Sequence, residues 1–155
     1  MQARCGGCQG GRAESARVRT VHRPPPATTG TGWRRCVRAD QRLWPRWQTD
    51  IESARIDGPV TPGSTFHWTS AGLSIGSTIY AVEAPRRILW GGTAHGITAI
   101  HEWRFEADGD GTLVRNEESW SGDPVDADTE NSRKLLGQSL DAWLEHLRRT
   151  AEDPA

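Results

Sequence analysis

From about Asp128 to Arg149 the chain repeats its large apolar residues at helical spacing. Leu136, Leu140, Trp143 and Leu147, flanked by Leu135 and Leu144, make one broad face. Acidic residues near its start (Asp126, Asp128, Glu130) and Arg148 and Arg149 at its end suit the helix dipole. Such a helix spans about 33 Å at roughly 1.5 Å per residue, so it needs a partner of similar extent to bury that face. What precedes it reads as a β-meander. Segments 51–56, 64–70, 73–82 and 87–93 are separated by Asp57-Gly58-Pro59, Ala71-Gly72 and Ala84-Pro85, and two longer strands flank Asp108-Gly109-Asp110-Gly111. Strands followed by one long amphipathic helix predict an α+β layer, the helix covering one face of a curved antiparallel sheet.

The two longer strands carry the chemistry. In the first, Ile97, Ala99, His101, Trp103 and Phe105 share a face, because side chains alternate along a strand. In the second, Thr112, Val114, Asn116, Glu118 and Trp120 do the same. An imidazole and a carboxylate among large rings do not make a plain core, and this pattern predicts a sheet that lines a cavity. Gly91-Gly92 in the strand before them permits a bulge or a close backbone approach. His67, pointing opposite to Phe66 and Trp68, is expected in solvent.

The first part of the chain reads differently. Up to Asp40 there are eight arginines against Glu14 and Asp40, about +6, whereas the remainder, with eleven basic and eighteen acidic residues, carries about −7. Residues 1–31 offer too few large apolar groups to offset the entropy of ordering, and are expected to form a disordered basic arm ahead of a folded domain at 32–150 and a tail at 151–155. A short helical piece is expected within 33–43, ended by Trp44-Pro45-Arg46-Trp47. Cys5 and Cys8 have zinc-ligand spacing, with His22 and Cys36 as further candidates, but no second close pair accompanies them, so no metal site is predicted. The arm lacks lysine and interleaved aromatics, which argues against nucleic-acid binding. No apolar run approaches the roughly 20 residues of a membrane span, and no apolar signal core follows the early arginines. A cytoplasmic protein, monomer or weak homodimer, is expected.

No phosphate loop, dinucleotide fingerprint, Gly-x-Ser-x-Gly or His-Glu-x-x-His is present, and Asp108 with Asp110 falls short of a calcium loop. No cofactor is predicted. The order of Trp44-Pro45-Arg46-Trp47, Pro62-Gly63-Ser64-Thr65-Phe66-His67-Trp68, Ile88-Leu89-Trp90, His101-Glu102-Trp103, Gly111-Thr112, Glu118-Ser119-Trp120-Ser121-Gly122 and the helix over 140–147 resembles the START-like helix-grip superfamily. Its nearest branch is the polyketide cyclase/dehydrase and lipid-transport group, also called SRPBCC, and the resemblance covers roughly residues 42–150. It implies a bent antiparallel sheet gripping the C-terminal helix around a deep hydrophobic cavity. Members bind lipids, sterols, polyketides or hormones, and a minority catalyse cyclisation, dehydration or ring cleavage.

The start of the chain departs from that pattern. Pro25-Pro26-Ala27 and Trp33 echo the family's order, but nothing before Pro24 reads as a long strand. The first strand is therefore expected to be missing or altered, whether through a shifted reading frame or a lineage-specific arm, leaving an uncovered sheet edge.

Two functions follow as expectations. One is a carrier that hides a small hydrophobic, lipid- or polyketide-like molecule between sheet and helix. The other is a cyclase or dehydratase in which His101 and Glu118 exchange protons with a polyketide-like substrate. Trp68, Ile79, Trp90, Trp103, Asn116, Trp120, Leu140 and Trp143 are the expected ligand-lining residues. The carrier is favoured. Both expectations fail if the tryptophans themselves fill the cavity, or if His101 and Glu118 face solvent.

Overall fold

The computed structural model describes residues 16–22, 41–109 and 111–152. Among the described residues, seven antiparallel strands form one sheet: β1 (Ala16–His22), β2 (Ile51–Ile56), β3 (Thr65–Ser70), β4 (Leu73–Glu83), β5 (Arg87–Ala94), β6 (Ile97–Asp108) and β7 (Gly111–Ser121). A short helix, α1 (Asp123–Ala127), and a long one, α2 (Thr129–Glu152), follow. The sheet order is β1-β7-β6-β5-β4-β3-β2, so β2 to β7 are a continuous meander and β1 adds beside the last strand. This is the helix-grip architecture.

Short turns set the meander. Ala71-Gly72 and His95-Gly96 each place two consecutive residues at positive φ (49° and 73°, 53° and 80°), the backbone that matches the twist of a two-residue hairpin. A register shift between Ile79 and Ala81 puts a bulge in β4, opposite Trp90 and Leu89. At Gly91-Gly92 the sequence reading allowed a bulge or a close approach, and the close approach is what occurs. A Cβ on Gly91 would lie 2.4 Å from the Ala99 carbonyl oxygen, and one on Gly92 would lie 2.2 Å from that of Gly76.

Two expectations are corrected. The first strand is present: β1 pairs with β7 from Ala16↔Trp120 to His22↔Val114, so β7 is not an edge. In the sequence its alternation is obscured by Arg17 and Arg19, on a segment only seven residues long. Of the helical piece expected within 33–43, residues 33–40 lie outside the described residues, and Gln41–Arg46 forms a 3₁₀ turn that contains Pro45 and does not end before it. Trp47 N–H and Gln48 N–H both donate to the Trp44 carbonyl, so the turn carries Trp44 past the proline. Asp123 and Asp126 lie in α1, and Asp128 caps α2, its Oδ1 accepting from Asn131 N–H at 3.1 Å. Residues 1–15 and 23–40, with Cys5, Cys8 and Cys36, lie outside the described residues, as do 153–155; α2 itself continues to Glu152.

Cross-strand partners share a face, so the register separates the two sides of the sheet. The convex side is a charge ladder: Arg87 bonds Glu83 (2.8 Å) and Glu102, Arg104 bonds Glu102 (2.9 Å), and Arg115 bonds Glu106 (3.0 Å). The concave side holds Phe66, Trp68, Ile79, Trp90, His101, Trp103, Phe105, Val114 and Asn116. Helix α2 packs against β1 and β7 over that side. Its predicted face is the buried one, with Leu136, Leu140, Trp143, Leu144 and Leu147 all buried, whereas Leu135 is exposed. His67 is exposed, as expected.

Trp44 is the hub of the core. Its ring meets Phe66 at 5.3 Å, Trp68 at 5.9 Å, Trp90 at 5.3 Å and Trp143 at 5.2 Å, three of the four edge to face. Trp47 joins from the same turn, 5.6 Å from Trp143. These rings occupy the space between helix and sheet at the level of Trp143.

Candidate functional site

The β6–β7 register sets His101 directly opposite Glu118, with Trp103 opposite Asn116 on one side and Ala99 opposite Trp120 on the other. His101 is 5 % exposed and Asn116 is 0 % exposed. The Glu118 side chain is 13 % exposed. Both expected ionisable residues therefore face inward, as the alternation predicted.

His101 is held on every side. Its ring stacks on Trp90 at 4.4 Å and, less closely, on Trp103 at 5.9 Å, while the Trp143 ring stands edge-on at 5.8 Å. Nε2 is hydrogen-bonded to the Asn116 side-chain amide, and Nδ1 lies 3.4 Å from Glu118 Oε2. The other carboxylate oxygen of Glu118 accepts from Trp120 Nε1–H at 2.9 Å. A tryptophan, a glutamate, a histidine and an asparagine thus form one chain of polar contacts inside an aromatic wall. Glu118 does not pair with Arg115 or Arg104, because both arginines lie on the convex side and bond Glu106 and Glu102.

Burial among rings pushes the His101 imidazole below its ordinary value of 6.5, although the Glu118 carboxylate and the bond to Asn116 pull it back up. The folded protein resists a proton that the unfolded chain accepts near pH 6.5. The stability His101 contributes is complete above that pH and is lost as pH falls below it toward the lowered folded value. The melting temperature is therefore expected to drop between pH 7.5 and 5.5, and His101→Gln should flatten that part of the profile. A slope unchanged by the substitution would show that other groups set it.

The concave face changes character along β6 and β7. Toward Phe105 and Val114 it is closed by large rings, Trp90, Trp103 and Trp143, all buried. Toward the Trp120 end it is built from small residues, Ser77, Gly92 and Ala99, beside Trp68, Ile75 and Trp120, which are only half-buried. Trp68 Nε1–H donates to Ser77 Oγ at 3.1 Å, which fixes that indole at the side of the shelf. Of the expected lining residues, Trp90, Trp103, Asn116 and Trp143 surround His101, Ile79 and Leu140 are fully buried, and Trp68 and Trp120 stand at the open half. Trp44 and Ser77 were not among the expected site residues. Trp44 lies in a non-periodic turn, and Ser77 was readable only from its place opposite Phe66.

Among the described residues no group of three or more His, Cys, Asp or Glu side chains is placed to hold a metal ion, and no helix is long and apolar enough to cross a membrane.

A profile of the family described as polyketide cyclase / dehydrase and lipid transport matches residues 19–152. Solved structures share the fold. A hypothetical protein of Helicobacter pylori superposes with a TM-score of 0.69 at 15% identity, covering 97% of each chain. Ara h 8.0201 superposes with a TM-score of 0.60 at 16% identity, covering 91% of this chain and 96% of that one. The di-domain ARO/CYC StfQ from the steffimycin biosynthetic pathway gives 0.66 at 12% identity, with 89% of this chain on 49% of that one. No curated protein sequence matches the chain.

Proposed function

The chain belongs to the polyketide cyclase/dehydrase and lipid-transport family, and on that premise we propose that it binds a small hydrophobic molecule, lipid- or polyketide-like, on the half of the concave face that its own rings leave unfilled. The observation that carries this reading is the change along β6 and β7 from interlocked tryptophans to Ser77, Gly92 and Ala99 flanked by half-buried Trp68, Ile75 and Trp120. Apolar area left partly in water next to a few placed polar groups is the usual make-up of a ligand site. The tryptophans of the closed half act as the end wall. The ligand lies on the shelf, with Glu118 and Trp120 at its inner edge.

The clamped state of His101 favours a carrier over an enzyme. A general acid or base needs a ring nitrogen turned toward substrate, whereas here Nε2 is engaged by Asn116 and Nδ1 faces Glu118. The cyclase or dehydratase reading draws on that second contact: an imidazole nitrogen facing a carboxylate at 3.4 Å can take up one proton between them. It requires the substrate to reach Glu118, the more exposed of the two.

Ala99→Phe tests the placement. The new ring would stand over the shelf opposite Trp120, and binding of 1-anilinonaphthalene-8-sulfonate, an apolar fluorescent probe, is expected to weaken by about tenfold or more. The circular dichroism and the melting temperature should stay close to those of the parent protein. Undiminished probe binding in a folded Ala99→Phe protein would move the ligand elsewhere.

A further inference from the structure

The register that separates the two faces of the sheet also separates its charges. Arg87, Arg104 and Arg115 fall at convex positions, and Arg17 and Arg19 of β1 pair with Ser119 and Glu117, which are convex as well. Among the described residues, the concave positions of β3 to β7 hold no arginine or lysine and one carboxylate, Glu118. The buried face of α2 opposite them is leucine and tryptophan. Whatever lies on the concave face therefore meets a single negative group with no cation beside it. The chain that leaves the Trp120 end of the sheet adds to the imbalance, since Asp123, Asp126, Asp128 and Glu130 are all exposed there, ahead of Arg133 and Lys134.

Glu118 borders the shelf. Its neighbours on one side are half-buried Trp120 and Ala99, and on the other the buried Trp103 and Asn116, so the 13 % of its side chain that stays exposed lies toward the open half. Trp120 Nε1–H, which can only donate, bonds Oε1 at 2.9 Å and aims the carboxylate wherever the imidazole proton sits. Oε2 faces His101 Nδ1 at 3.4 Å. A carboxylate has about four lone-pair sites, so two such contacts leave it able to accept again. Resting on the ligand-binding reading above, we infer that Glu118 selects the ligand by charge and by donor: the site takes an uncharged molecule that presents a hydroxyl, alcohol or phenol, at its inner end, and rejects a free carboxylate in that orientation. A hydroxyl turned inward donates to Glu118 in a charge-assisted bond. A carboxylate turned inward meets a like charge in a partly desolvated place, so an anionic amphiphile can lie on the shelf only with its charge at the open end.

Three probes on one ring system test this by calorimetric titration of the full chain at neutral pH: 2-naphthalenemethanol, its methyl ether and 2-naphthoate. The ether keeps the oxygen and loses the donor, and the acid brings the charge. One hydrogen bond to a charged acceptor predicts that the alcohol binds about tenfold more tightly than the ether, with the naphthoate weakest. Glu118→Gln keeps an acceptor for Trp120 and removes the charge, so the affinity of naphthoate relative to the alcohol should rise by about tenfold or more. Glu118→Leu should raise that ratio too and should erase the alcohol's advantage over the ether, and it serves as the second variant if the glutamine protein does not fold. Naphthoate binding to the parent protein as tightly as the alcohol would overturn the selection by charge, and so would a ratio unmoved in the folded variants. Equal binding of alcohol and ether would overturn the selection by donor and leave hydrophobic binding standing. Binding of none of the three would remove the ligand-binding reading itself, and this inference with it.

Discussion

Trp44→Ala is expected to destabilise the protein by about 3–5 kcal/mol, the range for removing a buried aromatic side chain. The expectation rests on position more than on size. Trp44 is 6 % exposed and touches four other rings, from strands β3 and β5 and from helix α2. Each well-oriented aromatic pair adds about 0.5–1.5 kcal/mol beyond the area it buries, so losing four at once removes more than the transfer term. Collapse cannot refill the gap, because Trp90 is held by its stack on His101 and Trp143 by its own contacts with Trp47 and Trp103. For a chain of this length the melting temperature should fall by about 10 °C or more. Chemical denaturation gives the free energy directly, and Trp120→Ala, at a half-buried ring, is the comparison. A Trp44→Ala cost below about 1.5 kcal/mol would mean that the ring cluster does not hold helix to sheet.

That hub shows where sequence reading stopped. Alternation placed His101, Glu118 and Asn116 on one face, because a strand has a fixed period of two and long strands make it visible. It also placed the helix face correctly, since Leu136, Leu140, Trp143 and Leu147 repeat without interruption. Trp44 sits in a 3₁₀ turn of six residues, too short for any period to register, and Pro45 after it suggested an end where the chain instead turns Trp44 into the core. The first strand was missed for a related reason: over seven residues, with arginine at two of them, its alternation is indistinguishable from an unstructured arm. Whether a contact becomes a hydrogen bond was also out of reach. Strand parity brings His101 and Glu118 onto one face, but only the register makes them neighbours, and only side-chain geometry assigns Nε2 to Asn116. Composition likewise gives the number of tryptophans and not the fact that they interlock around Trp44 between sheet and helix.

Gly122→Ala is the second large effect expected, at about 3 kcal/mol or more of lost stability, with the proposed binding shelf disturbed as well. Gly122 has φ 128° and ψ 168°, a region populated essentially by glycine alone, where strain costs about 1–3 kcal/mol for other residues. Space is lacking too. A Cβ there would stand 2.1 Å from the Gly96 carbonyl oxygen, backbone of the tight β5–β6 turn, which cannot rotate away as a side chain could. Gly72 separates the two contributions: it also has positive φ, at 73°, but a Cβ would meet nothing within 4 Å. Gly72→Ala should cost only the conformational strain, about 1–2 kcal/mol. The excess at Gly122 then measures the contact. Its consequences reach the site because the Gly122 carbonyl accepts from Val125 N–H and Asp126 N–H, starting α1, while Trp120 lies two residues before it. Displacing Gly122 from the β5–β6 turn moves the helix start and the Trp120 indole together, and with the indole the hydrogen bond that orients Glu118. Urea titrations of the two variants beside the parent protein, followed by probe binding in the folded fraction, read both effects. Equal costs for Gly122→Ala and Gly72→Ala would show that the turn yields, and that the junction does not fix where helix and shelf meet.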